Sequence, residues 1–392
     1  MNQTQIRSNQ SPLPQKACPE SQPEIKAVVS HDDLKKFVDL PYHLYRRDPN
    51  WVPPLRSEQW KLFDPKRNPL LEHCRYQFFL LKKGANVIGR ISAFIDDLAL
   101  TTWGEPIGLF GSYECIDDPV ASRMLLDTAR SWLQARGMKK MRGPWNFTSQ
   151  EWGLVYEGFT PPPVILAPFN PEYYNQQLSD FGLKKIKDLL VHYIDFEEDY
   201  QIPPKYLTAT EAVEKRYQVR VRQVNLKRLE EDIVTVVRLT NRSIERLWGF
   251  YPITDAEGRA MARDLKQILD PKGLLIAENQ SGEPIGFALA FPDLNTILRG
   301  LDGRLLPFGW LKLIWGLPKI RQYRMFGLGV VPEYQGKAVD SLIYRRLYES
   351  LAPKKVRIEI NFTLEDNAHI NNAVTRLGAK PLRRYRVYEK GI

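Results

Sequence analysis

The chain is poor in the residues that build disulfide frameworks and metal sites. Its 3 cysteines, Cys18, Cys74 and Cys115, are widely spaced and include no CxxC pair. Its 5 histidines are scattered and include no HExxH pair. We therefore expect neither a disulfide framework nor a bound metal, and the reducing cytoplasm is the compartment that fits.

Long hydrophobic runs are missing as well. Residues 1–25 are polar and interspersed with proline, without the apolar core of a signal peptide. This stretch is predicted to be a disordered N-terminal tail. The signatures of nucleotide hydrolases and serine hydrolases, a P-loop and GxSxG, are also missing, which argues against those two classes of enzyme.

Acidic residues are fewer than basic residues. Lys and Arg number 56 against 46 Asp and Glu, so the net charge is +10. This excess favours an anionic partner such as a phosphorylated cofactor, lipid headgroups or nucleic acid, although a merely basic surface gives the same count. Nucleic acid is the weakest of these, because the basic residues are dispersed and no RNP, helix-turn-helix or zinc motif accompanies them.

An internal repeat indicates the architecture. The matched pairs are VIGRISAF (87–94) with PIGFALAF (284–291), KKMRGPWNF (139–147) with KKVRIEINF (354–362), and LSDFGL (178–183) with VTRLGA (374–379). Each copy reads as a hairpin, a strand, an amphipathic helix, a strand, a helix and a last strand. The prediction is a mixed α/β fold with a first module at 26–196, a linker at 197–216 and a second module at 217–392.

The second copy contains the strand, loop and helix GVVPEYQGKAVDSLIYRRL (329–347). This stretch and the element order resemble the GNAT superfamily of acyl-CoA-dependent acyltransferases, whose loop reads Gln/Arg-x-x-Gly-x-Gly/Ala after a Leu-x-Val-x-Pro strand. LGVVP (328–332) matches the strand and Gln335 the first loop position, while Ala338 and Asp340 replace the later small residues. The whole chain resembles the tandem-domain YghO-like proteins, which are similar to the GNAT-type acyltransferases of bacterial ceramide synthesis.

The resemblance implies that this loop holds the pyrophosphate of an acyl thioester. Backbone N–H groups would point at the anion, with a helix N-terminus behind them. Ala338 suits this role if its φ is negative, whereas the Asp340 carboxylate would cap the helix but repel a pyrophosphate. The residues implied for binding acyl-CoA or acyl-carrier protein are Val330, Val331, Gln335, Gly336, Lys337, Ala338, Val339 and Asn367. No tightly bound cofactor is expected.

The first copy lacks such a loop. The equivalent stretch, SYECIDDPVASR (112–123), has Asp117, Asp118 and Pro119 where donors should gather. Carboxylates repel an anion, and proline has no N–H to offer. The first module is therefore predicted to be a structural or acceptor-binding half. Its glycine-punctuated loop at 143–159 mixes aromatic and polar residues, which either line a site or cover the core.

The reaction implied by the resemblance is direct transfer of an acyl group from a thioester to an amine. It needs a donor to the oxyanion, a base for the amine and an acid for the thiolate. The family takes the oxyanion donor from the fourth strand, here the backbone near Leu328, where Gly327 and Gly329 permit a bulge. The tyrosine that acts as the general acid in the family is missing, because Val374 occupies its position.

Replacements for the missing acid and base come from neighbouring strands. Glu359 is the nominated base and Tyr385 the nominated acid, both on strands beside the implied cleft. Glu365 is expected to open a helix. Glu257 is expected to close a capping box with Thr254.

The second copy has also gained a mostly apolar segment with two tryptophans, RLLPFGWLKLIWGLPKIRQYR (304–324). Arg304, Lys319, Arg321 and Arg324 edge this segment. It is too short to span a bilayer, and its Trp, Leu and flanking cations are typical of a membrane-interface segment. A buried lid is the alternative, and a long acyl chain or long-chain amine would explain the same residues.

These observations lead to one hypothesis and two alternatives. The hypothesis is an N-acyltransferase that acts on a hydrophobic amine such as a sphingoid base, in the cytoplasm and peripherally on the inner face of the cytoplasmic membrane. One alternative is a non-catalytic, degenerate GNAT module that binds a lipid or protein partner. The other is an N-acetyltransferase of a small polar amine.

Overall fold

The computed structural model describes residues 22–147, 151–197, 200–266 and 268–392. Its strands are β1 (Pro23–Ala27), β2 (Cys74–Lys83), β3 (Asn86–Asp96), β4 (Ile107–Cys115), β5 (Lys140–Gly143), β6 (Leu154–Glu157), β7 (Lys184–Asp195), β8 (Arg220–Gln223), β9 (Leu274–Glu278), β10 (Pro284–Pro292), β11 (Gln322–Val330), β12 (Arg357–Leu364) and β13 (Lys380–Gly391). Residues 22–197 are called the N-terminal half below, and residues 200–392 the C-terminal half.

The helices surround this sheet. They are α1 (His31–Leu44), α2 (Arg56–Leu62), α3 (Asp97–Trp103), α4 (Pro119–Gln134), α5 (Tyr173–Asp180), α6 (Pro204–Tyr217), α7 (Leu229–Ile244), α8 (Asp255–Leu265), α9 (Asn295–Leu298), α10 (Gly309–Gly316), α11 (Val339–Leu351) and α12 (Ala368–Arg376). Short 3-10 turns occur at Pro69–His73, Leu226–Arg228, Pro271–Gly273, Leu317–Lys319, Pro332–Tyr334 and Ala352–Lys354. The mixed α/β fold class is confirmed.

The strands form one continuous 13-stranded sheet. Its order is β1-β2-β3-β4-β5-β13-β7-β12-β11-β10-β9-β8, with β6 paired to β13 off this path. Two pairs are parallel, β4 with β5 and β11 with β12, and the others are antiparallel. The order reads alike from either end, which is what the internal repeat leads us to expect.

The two halves exchange their last strands. β13, from the end of the chain, lies between β5 and β7, and β7 lies between β13 and β12. One of the cores consequently draws on both halves, because it contains Leu109 and Val155 together with Leu364 and Tyr385. The halves are therefore held together by backbone hydrogen bonds and by shared core packing.

The predicted linker at 197–216 is helical for most of its length. Residues Pro204–Tyr217 form α6, and this helix packs against α11. Tyr206 is buried with Leu377 in a small core cluster, and Arg346 is paired with Glu214. These contacts stabilise the segment as a helix. The division into two modules stays a prediction, and a folded helix connects them.

The sequence prediction needs correction in two regions, the N-terminal tail and residues 26–73. Most of the predicted tail, residues 1–21, lies outside the described residues, but β1 already begins at Pro23 and pairs with β2. The prediction also had no elements between 26 and 73, where α1 and α2 form. Ser30 begins α1 by accepting a hydrogen bond from the Asp33 N–H.

Candidate active site

Two strands of the sheet, β11 and β12, separate partway along their length. The two strands pair from Gln322 with Arg357 to Met325 with Ile360 and then separate. The space between them is a cavity of about 720 Å³, called cavity A, which is walled by β11 from Met325 to Val330, by β12, and by the turn before α11. A parallel pair that separates halfway exposes backbone N–H and C=O groups to any ligand that enters.

The N-terminus of α11 opens towards the solvent beside cavity A. Its first flanking residue is Ala338, and no side chain caps the helix. The first-turn N–H groups are therefore left for water or a ligand, at the positive end of the helix dipole. Ala338 has φ +57. The condition of a negative φ is thus not met, and the residue occupies a conformation that glycine adopts more easily.

The predicted loop residues divide between the cavity wall and the core. Leu328, Val330, Gln335, Gly336 and Asn367 line cavity A. The Gln335 Nε2 donates to the Val330 carbonyl oxygen at 2.9 Å, which ties the loop to the end of β11.

The other predicted loop residues lie behind or beside cavity A. Val331 is buried, and its N–H donates to the Ile285 carbonyl at 2.9 Å. Val339 is fully buried in the core. The Lys337 ammonium lies 4.7 Å from the centre of the Tyr334 ring, next to the open helix terminus.

Asp340 does not cap α11, contrary to the prediction. It lies in the first turn, and the helix has no side-chain cap. Its side chain lies on the wall of cavity A, beside Tyr344. A carboxylate here faces the space that an anionic ligand would enter, so its charge opposes binding.

Polar groups of β12 and α12 also reach cavity A. The Asn361 Nδ2 donates to a Glu359 oxygen at 3.0 Å, while the buried Asn361 Oδ1 has no hydrogen-bond partner. Asn367 accepts from the Ile370 N–H and so caps α12. Because a buried amide oxygen without a partner is costly, Asn361 is suited to accept a hydrogen bond from a ligand.

The nominated acid and base lie behind these walls. Glu359 is 2% exposed and forms an ion pair with Arg383 at 3.5 Å. Burial raises the pKa of Glu359, against the opposing charges of Arg383 and Arg324. Tyr385 is fully buried, and its hydroxyl accepts from Arg383 at 3.4 Å. Their catalytic roles stay predictions, because these contacts give both side chains a structural role.

The equivalent place in the N-terminal half is closed. β4 and β5 pair from Ile107 to Leu109 and then separate, but the Trp145 backbone fills the gap. Its N–H donates to the Phe110 carbonyl at 2.8 Å, and a Cβ at Gly111 would lie 1.9 Å from its oxygen. The Asn146 Oδ1 accepts from the Ser112 N–H at 2.7 Å, so the exposed donor is already satisfied.

The helix terminus of the N-terminal half is closed as well. Asp118 caps α4 by accepting from the N–H groups of Val120 and Ala121, at 2.8 and 3.3 Å. Pro119 occupies the first turn. A carboxylate thus occupies the position that a phosphate would need, as the sequence predicted.

A second cavity, called cavity B, lies between the two halves. It measures about 530 Å³ and is walled by α1, α2 and β4 on one side and by α8, β10 and α9 on the other. Leu289, Phe291, Leu298 and Met261 give it a broad apolar wall, and Asn146 and Glu151 add polar groups. The loop at 143–159 therefore contributes to a cavity wall, while its residues 148–150 lie outside the described residues. The residues of this loop that line cavity B are Pro144, Asn146, Phe147, Glu151, Gly153 and Leu154.

Cavities A and B meet at three shared wall residues, Ile253, Glu257 and Phe326. Phe326 is the residue of β11 immediately after its last pair with β12. Glu257 is 8% exposed and forms the predicted capping box of α8 with Thr254. A ligand in cavity A would therefore contact some of the same side chains as a ligand in cavity B, near the point where β11 leaves β12.

The segment at 304–324 has two faces. Leu305 and Leu313 line cavity B. On the outside, five large apolar side chains are between 46% and 78% exposed; these residues, called the interfacial patch, are Leu306, Phe308, Trp310, Ile314 and Trp315. Arg304, Lys312 and Lys319 surround the patch and are exposed.

Arg324, predicted as a further flanking cation, is wholly buried. Its Nη1 donates to the Ile165 carbonyl at 2.6 Å, and its Nε and Nη2 have no hydrogen-bond partner. Burial lowers the pKa of Arg324, and the nearby charges of Tyr385 and Glu359 oppose that effect. This cation stabilises the junction of the halves and is not available to a headgroup.

One group of side chains has the composition of a metal site, namely His73, Cys74 and Asp96. The His73 Nδ1–H donates to Asp96 at 3.0 Å, and the same oxygen of Asp96 caps α3. Burial acts to lower the pKa of His73, but the hydrogen bonds to Asp96, Cys74 and Glu257 together outweigh it and raise the pKa to about 12. The protonated imidazole forms an ion pair with Asp96. Cys74 and Cys115 are free thiols, and Cys18 lies outside the described residues.

No family model matches the chain, but curated proteins do, among them the following two. It is 34% identical over 376 residues to protein YghO of Escherichia coli (strain K12), covering 94% of this chain and 95% of that protein. It is 33% identical over 382 residues to the bacterial ceramide synthase of Caulobacter vibrioides (strain NA1000 / CB15N), covering 93% and 96%.

Solved structures share the fold at low identity. The tandem GNAT protein from the clavulanic acid biosynthesis pathway gives a TM-score of 0.58 at 14% identity, covering 94% of this chain and 98% of that chain. The GCN5-related N-acetyltransferase from Anabaena variabilis ATCC 29413 gives 0.51 at 10% identity, covering 94% and 72%.

The fold, with the separated strands of cavity A, is that of tandem GNAT proteins. The chain belongs to the family of protein YghO and the bacterial ceramide synthase. The resemblance stated from the sequence is confirmed. The individual site residues and the module boundaries stay predictions.

Sequence reasoning missed cavity B and the meeting of the two cavities. Cavity B is built from segments that are far apart in the chain, such as α1 and α9, and no local pattern marks their proximity. The signal that was present is the gained segment at 304–324, whose inner leucines line that cavity.

Proposed function

We propose that this protein transfers an acyl group from a thioester, acyl-CoA or acyl-carrier protein, to the amine of a long-chain acceptor such as a sphingoid base. One observation carries the proposal: cavity A, at the separated strands, meets the mostly apolar cavity B at Phe326. Two cavities with a common wall suit a reaction between two substrates. The relative named as a ceramide synthase supports the choice of acceptor.

The thioester would lie in cavity A. The open N-terminus of α11 and the nearby Lys337 suit its phosphates. Asn361, whose Oδ1 has no partner, suits an amide N–H of the pantetheine arm. The backbone of β11 near Leu328 would donate to the oxyanion. Because these groups bind the common part of CoA and the carrier-protein arm, they favour neither donor over the other.

The acceptor chain would lie in cavity B. Leu289, Phe291 and Leu298 offer an apolar wall, which a long alkyl chain fills favourably by about 0.8 kcal/mol per buried CH₂. A small polar amine would leave this apolar wall in contact with water. The length of the acceptor chain is therefore the property that the site selects.

The test is a transfer assay with purified protein and palmitoyl-CoA. Sphinganine is compared with serinol, which has the same amino-diol head and no chain, and N-acyl product is measured by mass spectrometry. We expect amide product with sphinganine and none with serinol. Product with serinol alone would support the small-amine alternative, and binding of palmitoyl-CoA without any product would support the non-catalytic one.

We further propose that the reaction takes place in the cytoplasm, with the protein resting peripherally on the inner face of the cytoplasmic membrane. No helix among the described residues is long and apolar enough to cross a bilayer. The interfacial patch supports peripheral contact, because its exposed Trp and Leu side chains are ringed by the cations Arg304, Lys312 and Lys319.

Co-sedimentation with vesicles tests this contact. The protein should bind phosphatidylserine-containing vesicles better than phosphatidylcholine vesicles, and added salt should weaken the binding. Trp315→Ser should reduce binding by about tenfold or more. Leu226→Ser, at a side chain that is 52% exposed outside the patch, is the matched control. Equal losses in both variants would contradict the proposal.

A further inference from the structure

The carboxylate of Glu257 lies where the two cavities meet. It lines both of them, on the first turn of α8. One of its oxygens, Oε2, accepts from the N–H and the hydroxyl of Thr254, each at 2.7 Å. The other oxygen, Oε1, makes no hydrogen bond with any residue that the structure describes. The capping box therefore fixes the side chain and leaves one oxygen for another partner.

Titratable groups from both halves lie close to Glu257. His73 Nε2 lies 3.8 Å from the Glu257 Oε2, and His73 Nδ1 donates to Asp96. Tyr251, buried nearby, lies in the field of the same two carboxylates. The titratable groups facing Glu257 are thus an imidazolium, a carboxylate behind it and a neutral phenol. This arrangement fixes the orientation of the carboxylate through contacts on one oxygen.

The other buried carboxylates nearby are already engaged. Glu359 is paired with Arg383. Glu114 accepts from the Tyr174 hydroxyl at 3.0 Å and pairs with Arg90 at 3.4 Å. Glu359 lines neither cavity, and Glu114 lines cavity B alone. Position and a free oxygen together distinguish Glu257.

On the basis of the proposed function, we infer that Glu257 accepts the proton of the attacking amine. The amine nitrogen forms a bond to the thioester carbonyl carbon, and its N–H proton passes to the Glu257 carboxylate. When the tetrahedral intermediate collapses, the C–S bond breaks and the thiolate leaves. The proton held by Glu257 passes to this thiolate, so that Glu257 returns to its starting form. The products are the amide and the free thiol.

The inference also explains why Glu257 serves two purposes. A glutamate or a glutamine at the third helical position can close a capping box. Only the glutamate can accept a proton. Glu257→Gln therefore preserves the cap and the shape of the junction while it removes the base.

The test measures transfer from palmitoyl-CoA to sphinganine as a function of pH. We expect Glu257→Gln to lower kcat by about a hundredfold or more, with the melting temperature and the affinity for palmitoyl-CoA unchanged. A base at this position predicts that kcat of the wild type rises with pH and that this rise is flatter in Glu257→Gln. Asp255→Asn is the matched control, because it removes from the same helix turn a half-buried carboxylate that pairs with Arg238 and lines neither cavity, so it should keep the wild-type rate.

A kcat of Glu257→Gln within about threefold of the wild type would overturn the inference. So would a large loss in Glu359→Gln combined with no loss in Glu257→Gln, which would return the role to the residue nominated from the sequence. Absence of transfer by the wild-type protein would overturn the proposed function, and the inference with it. The wild-type measurement therefore separates the two failures.

Discussion

The two halves of the molecule share a fold and differ at the two places where the proposed thioester would enter. In the N-terminal half, the gap between β4 and β5 is filled by Trp145 and Asn146, and Asp118 caps α4. In the C-terminal half, the gap between β11 and β12 stays open, and α11 has no side-chain cap. A duplicated module can therefore lose a ligand site through one inserted side chain and one capping carboxylate, with no change to its sheet.

The same comparison suggests how the halves divide their work. The closed half contributes α1, α2 and the polar end of β4 to cavity B. The open half contributes cavity A and the gained segment. If the proposed function holds, one half binds the donor and both halves bind the acceptor.

The largest expected effect comes from placing a carboxylate at the open N-terminus of α11, as Asp118 is placed at the closed N-terminus of α4. Ala338→Asp should weaken palmitoyl-CoA binding by at least about thirtyfold, equivalent to about 2 kcal/mol, because the new charge repels the phosphates. Ala338→Asn has the same shape without the charge and should bind as the wild type does. Calorimetry measures both. Equal affinities for the two variants would contradict the account.

The second effect concerns the side chain that fills the closed gap. Asn146→Ala removes the acceptor from the Ser112 N–H, and a buried donor left unsatisfied costs about 1–3 kcal/mol. The free energy of unfolding, measured in urea, should fall by that amount. A loss below about 0.5 kcal/mol would mean that Asn146 is not what holds this gap closed.

A smaller effect on stability distinguishes Asp118, at the start of α4, from Asp340, at the start of α11. Asp118→Ala removes a cap with two hydrogen bonds and should lower the free energy of unfolding by about 1 kcal/mol. Asp340→Ala removes no cap, so it should leave stability unchanged and tighten thioester binding. Chemical denaturation and calorimetry report the two quantities. Similar losses of stability in both variants would show that Asp340 caps α11 after all.

The smallest effect concerns backbone conformation in the loop. Ala338 has φ +57 and Gly336 has φ +72, so both occupy the left-handed region. Ala338→Gly should raise the free energy of unfolding by about 0.5–1 kcal/mol, and Gly336→Ala should lower it by a similar amount. Changes of the same sign in the two variants would contradict this reading of the loop.

Much of the fold could be predicted from the sequence because the repeat marks its elements. The hairpin turns, the helix ends at glycine and the capping box at Thr254 are local signals, and the structure contains them. The exchange of β7 and β13 could not be predicted. Either strand could pair within its own module, and the choice depends on packing between the halves.

The candidate site was predicted only where its signal is local. The loop after β11 is a matched motif, and Gln335 and Gly336 do line cavity A. The state of Glu359 depends on Arg383, which lies on a strand contributed by the exchange, so its burial could not be read from its own neighbourhood. Glu257 was correctly predicted as a capping residue, but its position between two cavities arises only when the halves pack together.

The most direct test of the central claim is the number of acyl-CoA molecules that one chain binds. Calorimetric titration of the wild-type protein with palmitoyl-CoA, kept below its micelle concentration, gives that number. The account predicts one site per chain, lost in Ala338→Asp and kept in Asp118→Ala. Two sites per chain, or one site that survives Ala338→Asp and is lost on a change in the N-terminal half, would contradict it.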